Sequence, residues 1–349
     1  MNNNVDIKII TQQDLLDSGC FNLKEAIDIC KQAFVEKANG NVIFPNKVST
    51  VFNQKTQDRI NCLPAGIKSK NVYGMKWVSV FPENPANYGI SNLTALIILS
   101  DLKTGHPIAF MEGSMCSNIR TASVGTLAAT YLAKKNSKSI GFIGAGELAK
   151  THFLAFKSAF PTIETCNVAS RTHKSEMQFV EQMKNFYSDV TYKECNSNYE
   201  DAVKNADIIV TAISGQQKIL QADWISDGAF YCHVAGLEDD FAVAKKANKI
   251  VCDDWEIVKH RTQTISQMYQ SGLLNDCDIY ANLDEIIMNK KKPRENDKEF
   301  IYFNSVGLSF IDVYMANWMY SKVQQAEIVQ DTRLKDRSMF EASERYIYG

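Results

Sequence analysis

The chain has no Cys-x-x-Cys pair, although nine cysteines are scattered singly at positions 20, 30, 62, 116, 166, 195, 232, 252 and 277. An odd, dispersed set argues against a disulfide framework or a zinc ribbon and for reduced, mostly buried thiols. The five histidines show no ligand spacing either, so no metal is expected. Long hydrophobic runs are also missing: stretches such as "ALIIL" are too short to span a bilayer. The start, "MNNNVDIKII", lacks the basic segment and apolar stretch of a signal peptide. A net charge of -2 gives no electrostatic reason to expect nucleic acid or an anionic membrane as partner. With no repeats and no low-complexity linker, these absences leave a soluble globular protein, expected to be cytoplasmic.

A chain of 349 residues is long for one core, so two domains are expected. Its middle has a regular rhythm. "SIGFIGAG", "TCNVAS", "VTYKEC", "DIIVTAIS", "AFYCHVAG" and "KIVCDD" are short β-rich runs, separated by helical segments such as "ELAKTHFLAFKSAF" and "NYEDAVKNA". Strands alternating with helices predict an α/β fold with a Rossmann-type doubly wound parallel sheet. The first part differs. An amphipathic helix, "LKEAIDICKQAFVEKANG", precedes the strand-like runs "NKVSTVF", "DRINCLPAGI", "YGMKWVSVF" and "TALIILSD". The small-residue helix "CSNIRTASVGTLAATYLAKK" then leads into the parallel block, and "SVGLSFIDVYMANWMYSKVQQAEIV" is a long helix expected to return to the first domain. The organisation read from these patterns is a split α+β substrate-binding and dimerisation domain, 1–130 with 305–349, around a dinucleotide-binding domain, 131–304. The tail "DTRLKDRSMFEASERYIYG" gives no reading.

Gly144, Gly146 and Ala149 fill G-x-G-x-x-A between a strand and a helix. In that setting the first glycine permits a tight turn and the second lets the backbone approach a pyrophosphate. The alanine keeps helix and sheet close, and free N–H groups at the helix start face the phosphates. The competing reading is a glycine-rich turn in an unliganded sheet. The cofactor-facing set expected here is Gly144, Ala145, Gly146, Glu147 and Leu148, completed by Thr121, Thr211, Ala212, Val234, Gly236 and Ser305. About 20 to 25 residues after such a fingerprint an NAD enzyme places an acid on the ribose hydroxyls. From Cys166 to Ser175 there is no acid; Ser170, Arg171 and Thr172 offer a guanidinium and two hydroxyls instead. Those groups suit a 2′-phosphate, so NADP is expected, with NAD possible.

Three cations in the first part stand out: Lys47 in "FPNKVS", Lys76 in "GMKWVS" and Arg120 in "SNIRTAS". Taken alone, each reads first as an ordinary surface charge. Lys76, however, sits among apolar strand residues, where an ammonium is costly without an anionic partner. Arg120 lies in a helix whose small residues demand close packing.

The segments "GMKWVSVFPENP", "NLTALIILSDLKTGHPIAFMEGS", "IRTAS", "IGAGELA" and "NSVGLSFID" together resemble the ornithine cyclodeaminase/mu-crystallin family, in order and over most of the chain. The resemblance implies the split architecture, a homodimer, and substrate-carboxylate and catalytic cations at Lys47, Lys76 and Arg120. Members that cyclise ornithine carry arginine at the position of Lys47 and a catalytic aspartate after "VGG". Here "HVAGLEDD" offers Glu238 as the nearest carboxylate. Asp312 in "SFID" matches a family acidic position and would orient substrate-side groups, with a helix cap or an interdomain salt bridge as equal alternatives. His233 is expected to be a satisfied core histidine, and Trp77 and Trp255 packing residues.

Within the family, "NKV", "DRINCLPAGI", "MKW" and "VCDDW" are most similar to members that cleave N-(2-amino-2-carboxyethyl)-L-glutamate oxidatively. The products are L-2,3-diaminopropionate, used in siderophore biosynthesis, and 2-oxoglutarate. The resemblance therefore implies an NAD(P)-dependent oxidoreductase of an amino-acid secondary amine or imine. Lys47 and Arg120 would hold carboxylates, Lys76 would polarise the reacting carboxylate or shuttle a proton, and Glu238 would act as base. The alternatives are an ornithine cyclodeaminase, a ketimine reductase, or a mu-crystallin-like NADP-dependent small-molecule binder without catalysis. The substrate is in every case a small amino acid or its relative.

Overall fold

Period-two alternation builds the first sheet. In β5 (Val72–Val80) Val72, Gly74, Lys76 and Val78 are buried while Trp77 between them is exposed. The structure, a computed structural model, describes residues 4–335, and its contacts separate two compact units. The first takes in the chain up to Phe21, Asn41–Ser117 and the chain from Asp312; the second takes in Asn22–Gly40 and Asn118–Ile311.

In the first unit, β1 (Val5–Ile10), β2 (Val42–Ile43), β3 (Val48–Asn53), β4 (Asp58–Ile67), β5, β6 (Leu93–Asp101), β7 (Pro107–Glu112) and β16 (Asp331–Lys335) form one sheet. Its order is β16-β1-β7-β6-β5-β4-β2, with β3 also paired to β4. The four strand-like runs read from the sequence are β3 to β6. The outer strands were not foreseen. β1 lies parallel to β7 and antiparallel to β16, a pairing of the two chain ends that no local pattern announces. The part of the tail within the described residues is thus an edge strand.

In the second unit all strands are parallel, in the order β10 (Thr191–Glu194), β9 (Thr165–Ala169), β8 (Ser139–Ile143), β11 (Ile208–Thr211), β12 (Phe230–His233), β15 (Ile301–Asn304), β13 (Lys249–Cys252), β14 (Ala281–Asn282). The expected doubly wound sheet is present, and all six β-rich runs of the middle segment are strands of it. Every residue of β11, β12, β13 and β15 is buried, as strands covered on both faces must be. Strand order reverses at β8 and β11, so their carboxyl ends form the crevice in which doubly wound sheets bind ligands.

The helix Leu23–Ala38 buries Leu23, Ala26, Ile27, Cys30, Ala33 and Phe34 along one stripe. That stripe packs on the helices Glu147–Ala159 and Leu283–Ile287. It therefore groups with the second unit, although in sequence it lies between β1 and β2 of the first sheet. The unit boundaries fall inside the helices Ser114–Leu132 and Ser309–Ala326 rather than at their ends.

Candidate functional site

Lys76 is 2% exposed and points to the buried face of the first sheet. Its Nζ donates to Asp312 Oδ1 at 2.6 Å and to Ser117 Oγ at 3.3 Å. Asp312, in the first turn of the helix Ser309–Ala326, is fully buried. Of the roles open to Asp312, the structure therefore shows a buried ion pair inside the first unit. Such a pair costs desolvation of both charges, and removing one partner typically costs about 3–5 kcal/mol. Lys47 directly precedes β3 and is half-buried.

Arg120, in the helix Ser114–Leu132, is 8% exposed. Gly307 packs directly on its guanidinium. Gly307 has φ +77, a conformation that favours glycine, and a Cβ there would come within 2.6 Å of Arg120 Nη1 and displace the guanidinium. Asp253, directly after β13, holds the segment 305–307. Its carboxylate accepts from Val306 N at 2.8 Å, Gly307 N at 3.0 Å and Ser305 Oγ at 3.3 Å. Burial pushes the Asp253 carboxyl up to about 6 despite those donors. Asp253 was not singled out in the sequence; the signal present was an acid directly after an apolar strand, in "VCDD".

The fingerprint turn follows β8. Gly144 has φ +112, and a Cβ there would collide with the Ala212 carbonyl, so the tight turn requires glycine. Gly146 behaves differently: a Cβ would meet nothing within 4 Å. It opens the helix Glu147–Ala159 without a side-chain cap, so the first N–H groups of a thirteen-residue helix are left for an anionic ligand. Ala145 is buried, while Gly146 and Glu147 are exposed and Leu148 is half-buried. The donor set and the open approach at Gly146 fit a dinucleotide pyrophosphate.

Beyond β9, Ser170 is buried and Arg171 and Thr172 are exposed. Glu176, the first acid after this strand, is turned inward. Its carboxylate accepts from Ser170 N at 2.8 Å, Asn196 N at 2.8 Å and Ser197 N at 2.9 Å, and it is closed to solvent. It organises the loop through these three backbone N–H groups.

The loops after β11 and β12 are joined by Glu238. Oε2 accepts from Thr211 Oγ1 at 2.8 Å, Ala235 N at 2.9 Å and Val234 N at 3.3 Å, and Oε1 from Ile213 N at 2.9 Å. The side chain is completely buried. Thr211 also bonds Tyr231 Oη at 2.9 Å, so its hydroxyl is engaged on the protein side. A Cβ on Gly236 would overlap the Gln216 amide. Gln263 ties the β12 and β15 loops together: Nε2 donates to Ala235 O and Ser305 O, each at 2.8 Å, and Oε1 accepts from Asn304 at 2.8 Å. Gln263 had no sequence signal beyond its place before a helix.

The other two acids of "LEDD" are also engaged. Asp240 caps the helix Phe241–Lys246 through Ala242 N at 2.9 Å. Asp239 accepts from Thr264 Oγ1 at 2.6 Å, Tyr302 Oη at 3.2 Å and Tyr231 Oη at 3.4 Å. Burial pushes its carboxyl up to about 6, although His233 opposes the shift. His233 corrects one expectation. It is a core residue, stacked on Tyr302 with ring centroids 5.9 Å apart, but neither ring nitrogen makes a hydrogen bond. Its Nε2 lies 3.4 Å from Asp239 Oδ1. Trp255 packs as expected, with Nε1 donating to Asp276 at 2.7 Å. Trp77 does not: it is 44% exposed on the open face of the first sheet.

Among the described residues no group of His, Cys, Asp or Glu could hold a metal ion. Among them, too, no helix is long and apolar enough to cross a membrane.

The model of the ornithine cyclodeaminase/mu-crystallin family matches residues 9–327. N-((2S)-2-amino-2-carboxyethyl)-L-glutamate dehydrogenase of Staphylococcus aureus is 27% identical, over 93% of this chain and 98% of the relative. Alanine dehydrogenase of Archaeoglobus fulgidus is 30% identical, over 89% of this chain and 94% of its own. Among solved structures, the Thermococcus litoralis Delta(1)-pyrroline-2-carboxylate reductase in complex with NADH and L-proline superposes with TM-score 0.88 at 29% identity, covering 93% of this chain and all 100% of that one. An archaeal alanine dehydrogenase dimer with bound NAD gives TM-score 0.85 at 29% identity, with 95% and 100% covered.

Proposed function

The chain belongs to the ornithine cyclodeaminase/mu-crystallin family, and from that premise we propose that it is a nicotinamide-dependent oxidoreductase of amino-acid amines and imines. The substrate we assign is N-(2-amino-2-carboxyethyl)-L-glutamate, cleaved to L-2,3-diaminopropionate and 2-oxoglutarate. The observation that carries the reading is the buried Lys76–Asp312 pair: an ammonium is fixed by a carboxylate on the inward face of a sheet, where it can serve a reacting group. Identity to the staphylococcal dehydrogenase over nearly the whole of both chains supports the substrate.

The dinucleotide supplies the acceptor for the hydride that leaves the glutamate α-carbon. Gly144 to Leu148 would hold its pyrophosphate. Ser170, Arg171 and Thr172 would take a 2′-phosphate, which makes NADP the preferred form in our reading. Lys47 and Arg120 would bind substrate carboxylates, and Arg120 is pre-set for this by Gly307. Oxidation of the secondary amine leaves an imine, which water splits between carbon and nitrogen to give the keto acid and the primary amine.

We assign to Lys76, held as an ammonium by its positioning partner Asp312, the polarising of the reacting carboxylate and the donation of a proton to the departing amine, while the protons released by amine oxidation and by the attacking water pass to solvent. Glu238, first read as the base, is assigned a positioning role instead. Both of its oxygens accept from protein donors, and it is closed to solvent. Incubating the protein with the glutamate conjugate and oxidised cofactor should yield equal amounts of reduced cofactor and 2-oxoglutarate. If a panel of amino-dicarboxylate conjugates yields no reduced cofactor while pyrroline-2-carboxylate is reduced, the substrate assignment fails and a ketimine reductase stands.

A further inference from the structure

We infer that Arg59, together with Asn61, forms a carboxylate subsite on the inward face of the first sheet, selective for substrates with an additional carboxylate remote from the reacting carbon. The register places it. Along β4 and β5 the paired residues are Leu63 with Lys76, Asn61 with Val78, and Arg59 with Val80. Since side chains alternate across a strand, Arg59, Asn61 and Leu63 share the face that Lys76 occupies. On β3, Ser49 pairs with Asn61 and Val51 with Arg59, so Ser49 belongs to the same face, and Lys47 precedes it by two residues. Leu63, Val78 and Ala95 form an apolar floor there, with Val80 and Leu93 packed against it.

Polar groups on an apolar floor need a reason. Asn61 is 6% exposed and accepts from Ser49 Oγ through Oδ1, an orientation that turns its Nδ2 donors elsewhere. Arg59 is half-buried, and its Nη1 donates to the Gln57 carbonyl at 2.8 Å. Among the described residues it forms no ion pair. Burial is the largest influence on it and lowers its pKa, with the neighbouring Asp58 opposing. A guanidinium set partly out of water without a carboxylate partner is matched to an anionic ligand, and its fork suits a carboxylate. Four residues along β4 separate Arg59 from the Leu63–Lys76 row, roughly 13 Å of strand, a span that two long cationic side chains reach into from either end.

This subsite rests on the amino-acid oxidoreductase reading and sharpens it. The glutamate conjugate carries three carboxylates, of which Lys47 and Arg120 account for two. Arg59 takes the third, the side-chain carboxylate of the glutamate part.

Two measurements test it. Steady-state kinetics would compare the glutamate conjugate with its glutamine analogue, in which an amide replaces that carboxylate. Arg59→Gln should raise KM for the glutamate conjugate about tenfold or more while leaving KM for the glutamine analogue in place. Lys55→Ala on the exposed β3–β4 turn is the control and should move neither. Calorimetry with glutarate and with butyrate gives a readout that does not need turnover. Wild type should bind glutarate more tightly, and Arg59→Gln should remove that preference with its thermal midpoint retained. Loss of the preference in a protein that turns over neither conjugate would uphold the subsite while sinking the substrate assignment. Equal glutarate binding by both proteins, or none by the wild type, overturns the subsite.

Discussion

The Lys76 ammonium and the Asp312 carboxylate lie 2.6 Å apart although 236 residues separate them in sequence, and neither is open to solvent. A structural and a catalytic role for this pair predict different variants. Lys76→Met leaves a buried carboxylate without its ammonium, which should cost about 3–5 kcal/mol of stability. It should also lower turnover by about 10²–10⁴, the usual worth of positioned proton transfer, while cofactor binding persists. The double variant Lys76→Met/Asp312→Leu should recover much of the stability, since replacing a buried pair with apolar groups is often neutral. Turnover should not return. A double variant that regains activity would show the pair to be structural only.

Glu238 separates positioning from proton transfer in a second way. In Glu238→Gln an amide N–H₂ faces backbone donors at Ile213 or Ala235, leaving at least one buried group unsatisfied at about 1–3 kcal/mol. We expect cofactor affinity to fall about tenfold or more, with kcat at saturating cofactor largely kept. A loss confined to kcat, with cofactor affinity intact, would restore the base role to this residue.

Much of this was legible in advance. The parallel strands announce themselves because each is a short apolar run before a turn, and Gly144 because the backbone geometry of its turn allows little else. Lys76 was legible as a charge among apolar neighbours. Its partner was not, because Asp312 reaches it only through the return of the last long helix. The same holds for Asp253, Gln263 and Asp239. Their importance lies in which backbone groups they meet, and those come from loops after other strands. Glu238 was found, but its bonds to four backbone and side-chain donors could not be read from "LEDD". The strands β1 and β16 escaped notice because chain ends pair only once the rest of the sheet exists.

Stability should carry a pH signature from Asp239. Its folded carboxyl titrates at about 6, whereas an exposed aspartate titrates near about 4. The folded state therefore holds the proton more tightly. The stabilising contribution is complete below about 4 and is lost as pH rises through about 6. Asp253 acts in the same direction, and His152, pushed down to about 4 by burial, acts oppositely as pH falls. Comparing Asp239→Asn with wild type cancels those shared terms. Relative to wild type the variant should gain about 2–3 kcal/mol between pH 4 and pH 7, read from denaturant midpoints. A difference that does not change with pH would refute the assignment.

The open face of the first sheet predicts assembly. Ile9, Phe110, Ile98 and Met75 are successive cross-strand partners, and Leu96 pairs with Trp77 beside them. Ile9 is 48% and Ile98 38% exposed. A contiguous apolar face of this kind marks an interface, and the related archaeal alanine dehydrogenase is a dimer. We expect a homodimer joined through this face, and Leu96→Lys/Ile98→Lys should sediment as a folded monomer. A wild-type monomer at all concentrations would rule the interface out.

We expect the cofactor preference to turn on Arg171. The two solved relatives described above hold NADH and NAD, so an NADP preference must come from this chain's own residues. Two features argue for it. Glu176, the acid closest after β9, is closed to solvent and bonded to three backbone N–H groups, so it does not meet a ribose hydroxyl or repel a phosphate there. Arg171 is exposed at the strand end, flanked by the Ser170 and Thr172 hydroxyls. A guanidinium at that place gains a charge-assisted bond from a 2′-phosphate that NAD cannot supply, worth about 1.5–3 kcal/mol or roughly ten- to a hundredfold in affinity. Because the contact is exposed, it should weaken with salt. Fluorescence titrations of both cofactors should therefore show NADP bound more tightly by the wild type, with the margin shrinking as ionic strength rises. Arg171→Ala should abolish the margin without changing NAD affinity. If the wild type prefers NAD and the variant behaves identically, Arg171 has no part in cofactor choice and the pyrophosphate turn alone anchors the dinucleotide.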